Sequence, residues 1–329
     1  MAGATDALNA ARRILVIKPS SLGDVVHTLA AVHDLKRTRP ETGISWLVNP
    51  EWAPLLEGNP DLTRVLHFPR NTFRGLRGIG KLRSWWKAQQ WEQPDAVLDF
   101  QGLLRSALIA RGTRSPIIAG LSDAREGSRF FYHAVARVNG TMHSVERYRA
   151  LAELAGADLA HRTAFPLPQG EKPAGFDDSE PFLLLHPFSR GEKKSMSMAQ
   201  VRELCEALAP TRVVLVGRWQ GESAEGVRAD NWLNRTSLTE LVWLCRRTRF
   251  FCSVDSGPMH LGAAVGCPLV GLHTWTDPRK VGPYHDDAWV WKGGSFHTFA
   301  AWKSGQVSKA DEITLPDPQT LAAFLSTKL

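Results

Sequence analysis

Cysteine is scarce in this 329-residue chain: the four present, Cys205, Cys245, Cys252 and Cys267, show no C-x-x-C spacing and lie in apolar contexts. That argues against a disulfide framework or a cysteine zinc site and fits buried thiols in a reducing compartment. Long hydrophobic runs are missing too. No stretch approaches the roughly 18 uninterrupted apolar residues of a membrane helix, and MAGATDALNAARR carries no apolar signal core ahead of ILVI. The sequence therefore reads as cytoplasmic, neither exported nor membrane-spanning by its own signals. Several nucleotide fingerprints are absent as well. No G-x-G-x-x-G follows either first strand, which disfavours a nicotinamide dehydrogenase, and there is no G-x-x-x-x-G-K-[ST] phosphate loop. D-x-D is absent, so the carboxylates that usually hold a metal in sugar-nucleotide enzymes are not offered. No RNP, zinc-finger or basic-zipper pattern occurs, and nucleic acid is not an expected partner.

What is present is a globular composition, 43% hydrophobic and 22% charged, with a formal charge of +7 that favours anionic partners. The length suits two domains and a ligand cleft between them. From residue 13 short apolar runs alternate with helical patterns: RILVIK, then GDVVHTLAAVHDLKR; ISWLV, then PEWAPLLEG; RVLHF; DAVLDF, then LLRSALIAR. A second series starts at FLLLH and continues through a helix near 198–209, RVVLVG, a helix near 238–247, FFCSV, a helix from about 257, and PLVGL. Such alternation predicts parallel sheets wrapped by helices, here twice over. PLPQGEKPAGFDDSEP (166–181) lacks a hydrophobic period and reads as the linker. The expected domains are 1–170 and 171–329, with the C-terminal helix free to pack back on the first. Ligands of such sheets bind beyond the carboxyl ends of the strands, so the loops after RILVIK, FLLLH and FFCSV hold the informative residues.

In KPSSLGDVVH (18–27) a strand ends at Lys18 and a helix starts near Asp24. Ser21 or Asp24 is read either as a helix cap or, for Asp24, as a base facing the cleft. HPFSRGEKKSMS (186–197) supplies the hydroxyl and cationic donors that phosphate recognition needs in Ser189, Arg190 and Lys193 or Lys194, or else is a solvated basic loop. VDSGPMHLGAAVG (254–266) delivers Asp255 to a Ser-Gly-Pro helix start whose Ser256 and Gly257 amides suit a pyrophosphate. His260 lies one turn in, as a hydrogen-bond donor or a packing residue. RNTFRGLRGIGKLRSWWKAQQW (70–91) interleaves basic residues with Trp85, Trp86 and Trp91, and reads either as a core-facing helix with a wet side or as a landing surface for an anionic lipid headgroup.

Taken together and in order, these segments resemble the ADP-heptose:lipopolysaccharide heptosyltransferases of glycosyltransferase family nine, and within it the heptosyltransferase I branch. ILVIKPSSLGDVVHTLAAV, DAVLDFQGLLRSALIAR, DAREGSRFFY, HSVERYRAL and VDSGPMHLGAAVGCPLVGLHTWTDPRKVGPY carry the likeness over nearly the whole chain. The resemblance implies a GT-B fold, two facing Rossmann-like doubly wound domains, and an inverting transfer of heptose from ADP-heptose to a Kdo residue of the lipopolysaccharide inner core. It places the catalytic base on Asp24 and the donor site on Ser189, Arg190, Lys193, Asp255, Ser256, Gly257 and His260. Glu222 would meet the ribose hydroxyls and the backbone near Thr236 the adenine. Lys18, Ser20, Ser21, Gly23, Arg125 and Arg147 would lie on the acceptor side, matching an anionic Kdo-lipid A at the cytoplasmic face of the inner membrane. No cofactor or metal is expected. KSMS after Lys193 and HPFSRGE depart from the family's usual loops and leave Lys193 and Lys194 as alternatives. Segment 70–91 aligns only loosely, so the acceptor could instead be an inner-core heptose; the rival reading from another class is a non-catalytic module that binds a nucleotide-sugar or an anionic glycolipid.

Overall fold

The structure, a computed structural model, describes residues 2–68, 85, 93–191, 194–307 and 313–329. Two compact units divide the chain, Met1–Pro168 and Gln169–Leu329. In the first, the strands β1 (Arg13–Ile17), β2 (Gly43–Val48), β3 (Arg64–His67), β4 (Ala96–Asp99), β5 (Ile117–Leu121) and β6 (Ala134–Ala136) form one sheet in the order β3-β2-β1-β4-β5-β6, every pair parallel. This is the doubly wound order, and the direction of winding reverses between β1 and β4. Central strands buried on both faces have to be apolar throughout, which is why RILVI and AVLD are nearly continuous hydrophobic runs. The helices described in this unit are α1 (Ala2–Ala10), α2 (Leu22–Thr38), α3 (Leu104–Gly112) and α4 (Ser144–Leu154), and a 3-10 turn covers Ser128–Phe131.

The second unit repeats the plan. Its strands β7 (Leu183–His186), β8 (Val213–Gly217), β9 (Asp230–Leu233), β10 (Phe250–Val254), β11 (Leu269–Leu272), β12 (Trp289–Lys292) and β13 (Ser295–Thr298) run in the order β13-β12-β11-β10-β7-β8-β9. All are parallel except the β12–β13 pair, and the winding reverses between β7 and β10. The helices described here are α5 (Met198–Ala207), α6 (Leu238–Arg247), α7 (Gly257–Ala264), α8 (Pro278–Val281), α9 (Phe299–Lys303) and α10 (Pro318–Ser326). The Rossmann-like α/β architecture expected from the alternating pattern is thus present twice.

Three expectations need correction. PEWAPLLEG is not a helix: only Ala53–Leu55 forms a 3-10 turn, because Pro50 and Pro54 leave too few amides in so short a segment to sustain helical bonding. The 166–181 stretch is not merely a tether, since Phe176 is buried and packs edge-on against Phe182 and Trp243. The C-terminal helix belongs to its own unit: Leu321, Ala322 and Leu325 of α10 enter the core beside Val201, Leu204 and Cys205 of α5. Its apolar face finds there the complementary stripe it has to cover. The basic segment 70–91, apart from Trp85, lies outside the described residues. Trp85 packs edge-on against Phe68 at the rim of the N-terminal core.

Candidate active site

The β1–β4 register pairs Ile17 with Asp99, so Lys18 and Phe100 emerge side by side from the carboxyl edge at the switch point. The Lys18 ammonium turns inward and donates to the Phe100 carbonyl at 2.9 Å and to the Tyr148 hydroxyl at 2.8 Å. Burial pulls its pKa below the usual lysine value, against the pull of the Asp24 and Asp99 carboxylates. Tyr148, on α4, donates in turn to Asp24 Oδ1 at 2.7 Å. Burial and the neighbouring carboxylate keep that phenol protonated by raising its pKa.

Asp24 is the third residue of α2, behind the N-cap Ser21. Its Oδ2 accepts from the Ser21 N–H at 3.1 Å and from the Ser21 hydroxyl at 2.9 Å, the return half of a capping box. The other oxygen faces Tyr148, with the Lys18 ammonium 3.7 Å away. Cap and candidate base are therefore one carboxylate using two different oxygens. Burial pushes its pKa up, but Lys18, Tyr148 and Ser21 outweigh that and hold it at about 2. Its side chain keeps 37% of its surface accessible, enough to meet a ligand.

Of the other residues assigned to the acceptor side, Ser20 lies in the loop between β1 and α2 and Gly23 is buried in the first turn of α2. Arg147, on α4, is ion-paired with Asp123. Arg125 stands apart, exposed, with no side-chain hydrogen bond or ion pair to a described residue.

The sequence reading missed Asp99. Fully buried, it accepts from the Gln101 and Gly102 amides at 3.0 and 3.1 Å and from the Ser106 and Tyr132 hydroxyls at 2.8 and 2.7 Å. Burial raises its pKa despite those donors. A Cβ at Gly120 would come within 2.2 Å of the Tyr132 ring, so only glycine admits that tyrosine. Tyr148 was hidden next to Arg147 in HSVERYRAL. No local pattern could reveal it, since its partners lie more than a hundred positions away.

In the C-terminal unit Asp255 follows β10 and is the centre of a buried polar cluster. It pairs with the Lys194 ammonium, accepts from the Thr276 hydroxyl at 2.7 Å and lies 4.0 Å from His273 Nδ1. Burial pushes its carboxyl upward, and the His273 ring and Lys194 ammonium outweigh this to hold it at about 2. His273 itself is lowered to about 4 by burial, so it is neutral at pH 7 and Lys194 supplies the standing positive charge. The same ammonium lies 4.4 Å above the ring of the exposed Trp275.

Ser256 caps α7 by backbone alone. Its hydroxyl turns instead to His186 Nδ1 at 3.3 Å and the Val254 carbonyl at 3.1 Å. The amides at the helix start, from Gly257 on, thus receive no side-chain cap, which suits them to an anion. His186 ends β7 across the switch point, and burial lowers its pKa to about 4. His260 is buried one turn into α7, and its charge would help hold Asp255 down.

The remaining donor-side residues are more dispersed. The Ser189 hydroxyl closes the 189–191 turn with Gly191, and Arg190 is exposed with no described side-chain partner. Lys193 lies outside the described residues. Glu222 is exposed, 3.7 Å from Arg202. Thr236 is half-buried just before Ser237, the N-cap of α6. Among the described residues no group of three or more His, Cys, Asp and Glu side chains is arranged to hold a metal ion, and no helix is long and apolar enough to cross a membrane.

Two doubly wound units, each with a polar cluster at its switch point, are the domain architecture of GT-B-type proteins. Residues 82–300 match the model of glycosyltransferase family 9 (heptosyltransferase). Lipopolysaccharide heptosyltransferase 1 of Pseudomonas aeruginosa is 31% identical over 298 residues, covering 83% of this chain and 81% of the relative. The structure of E. coli heptosyltransferase WaaC with ADP superposes with a TM-score of 0.77 at 23% identity, covering 96% of this chain and all of that one (100%). E. coli ADP-heptose lps heptosyltransferase II gives a TM-score of 0.76 at 21% identity, covering 96% and 98% of the two chains. The chain belongs to glycosyltransferase family 9, the heptosyltransferases.

Proposed function

We propose that this protein transfers heptose from ADP-heptose to a Kdo residue of the lipopolysaccharide inner core by a single, inverting displacement with Asp24 as the base. The observation that carries the reading is the state of Asp24: one oxygen is fixed by Ser21, the other is lined up by Tyr148 and Lys18, and the carboxylate is still accessible. The acceptor hydroxyl oxygen attacks the anomeric carbon, the bond from that carbon to the phosphate oxygen breaks, ADP leaves with the electron pair, and the hydroxyl proton passes to Asp24. A carboxylate held at about 2 is a weak base towards a resting alcohol. It therefore takes the proton late, once the new C–O bond has made the hydroxyl strongly acidic in an oxocarbenium-like transition state.

The acceptor's anionic groups match Arg125 and Arg147, with Ser20, Ser21 and Gly23 shaping the turn beside them; Lys18, enclosed between the Phe100 carbonyl and the Tyr148 hydroxyl, acts through Asp24 instead of meeting the acceptor directly as the sequence had suggested. On the donor side, the uncapped amides of α7 and the Lys193–Lys194 pair neutralise the departing diphosphate, and Asp255 and His260 bind the sugar and phosphate oxygens. Ser189 and Arg190 contribute further donors, while Glu222 and the backbone near Thr236 take the ribose and adenine. The likeness to heptosyltransferase II supports testing a heptosylated inner-core acceptor alongside the Kdo one.

Incubation with ADP-heptose and Kdo-lipid A, with and without chelator, should release ADP, and Asp24→Asn should slow release by about 10²–10⁴-fold while leaving ADP binding intact. Undiminished turnover by that variant would remove Asp24 from the mechanism. Comparing Lys193→Ala with Lys194→Ala assigns the phosphate-binding cation to whichever loses donor affinity.

A further inference from the structure

Five large apolar side chains are exposed among the described residues, and three of them gather on one face of the N-terminal unit: Leu104 at 40%, Leu108 at 53% and Phe130 at 95% exposure. Leu104 and Leu108 are four residues apart on α3 and so share its outer side, while Ser106, Ala107, Ile109 and Ala110 fill the inner one. The outer stripe also carries Arg105 and Arg111. The 3-10 turn Ser128–Phe131 packs against α3 and adds Arg129 beside Phe130. None of the three arginines makes a side-chain ion pair with a described residue. The one carboxylate fixed at this face, Glu126, is engaged by the Leu104 N–H at 3.2 Å.

We infer that the face formed by α3 and the Ser128–Phe131 turn is where the protein seats itself on an anionic lipid bilayer, with Phe130, Leu104 and Leu108 entering the headgroup region and Arg105, Arg111 and Arg129 meeting lipid phosphates. A rigid aromatic and two leucines ringed by unpaired guanidinium groups is the chemistry of an interfacial anchor, weak in apolar area by itself and completed by charge. A protein partner with an apolar patch would not explain the excess of cations. The location fits as well. Phe100, whose carbonyl holds Lys18 behind Asp24, is four residues ahead of Leu104 in the same β4–α3 connection, so a lipid-anchored acceptor would present its sugar to Asp24 from the surface this face grips. This last step rests on the proposed acceptor, whereas the lipid binding itself does not.

Co-sedimentation with phosphatidylcholine vesicles, with and without phosphatidylglycerol, tests the inference without any turnover. The full chain should pellet with the anionic vesicles and stay in solution with the zwitterionic ones, with binding weakened by salt. Phe130→Ser combined with Leu108→Ser should lower the partition constant about tenfold or more, and Arg105→Glu with Arg129→Glu by a similar factor. Each variant should keep the ADP-induced rise in melting temperature, and if the serine variant does not, the arginine variant carries the test. On a water-soluble, deacylated acceptor the turnover of these variants should match that of the parent. Unchanged vesicle binding by both variants overturns the inference. So does a parent that sediments as a dimer and a Phe130→Ser/Leu108→Ser variant that sediments as a monomer, because a second copy would then cover the face.

Discussion

Asp24 shows how a single side chain can cap a helix and still stay accessible to a ligand. Its Oδ2 closes the start of α2 through Ser21, while Oδ1 is held by Tyr148 with Lys18 behind. Because the folded pKa, about 2, lies below the ordinary carboxylate value, the contribution of this group to stability is present above the ordinary value and is lost as pH falls towards 2. For the same reason the wild-type profile of kcat/KM against pH should show no acid limb from Asp24 near neutrality. Tyr148→Phe removes one of the donors that stabilise the ionised form, so the limb should move upward in pH; coincident profiles for the two proteins would exclude Tyr148 as the group that sets Asp24. Nothing in the local sequence marks Tyr148 for this task. KPSSLGD could be recognised as a loop with a candidate acid, but that one oxygen caps the helix while the other is held by Tyr148 depends on α4.

Among the elements, α2 and α4 decide whether that arrangement exists at all, and a buried ion pair ties them together. Arg149 Nε donates to Asp34 Oδ2 at 2.7 Å with both side chains almost wholly enclosed. Asp34→Ala would take the buried carboxylate from the enclosed guanidinium, leaving it Glu146 at 3.7 Å and the Leu159 and His161 carbonyls, at a cost of about 3–5 kcal/mol, read from urea denaturation of the two proteins at neutral pH. A smaller loss, under roughly 1 kcal/mol, would mean that Glu146 and the Leu159 and His161 carbonyls already satisfy Arg149. The elements themselves were legible to differing degrees. RILVI, FLLLH and FFCSV stand out as strands because a strand covered on both faces has to be apolar along its length. PEWAPLLEG has an apolar content that suits a helix, yet its prolines and brevity limit it to a 3-10 turn. The antiparallel β13, half-buried along its length, and the three-residue β6 carry no comparable local signal, both being short strands at the sheet edges.

For the molecule as a whole, the charge of +7 becomes specific once it is placed. Part of that excess is the unpaired arginines around Phe130, whereas the Lys194 ammonium is balanced by the Asp255 carboxylate ahead of α7. If the C-terminal cluster is the nucleotide site, ADP at about a hundredfold excess over its Kd should stabilise the protein by about 2.7 kcal/mol, seen as a rise in melting temperature that NAD does not reproduce. Equal shifts with both nucleotides would point to non-specific anion binding instead.

The sequence by itself determined the α/β class, its duplication, the loops that hold the polar residues and the family likeness. Each of these is written in contiguous stretches, because burial of a strand or a helix face imposes its pattern on neighbouring positions. Tertiary structure alone decided the contacts that give those loops their chemistry. Lys18 meets Tyr148 across 130 positions and Tyr148 meets Asp24 across 124, while Lys194 reaches Asp255 across 61 and Thr276 reaches it across 21. It also decided that Phe130 faces outward beside α3 instead of entering the core. Hydrogen bonds and ion pairs depend on distances of a few ångströms, and in a doubly wound sheet those distances are set by which strands lie side by side, a property of the assembled sheet that no segment contains.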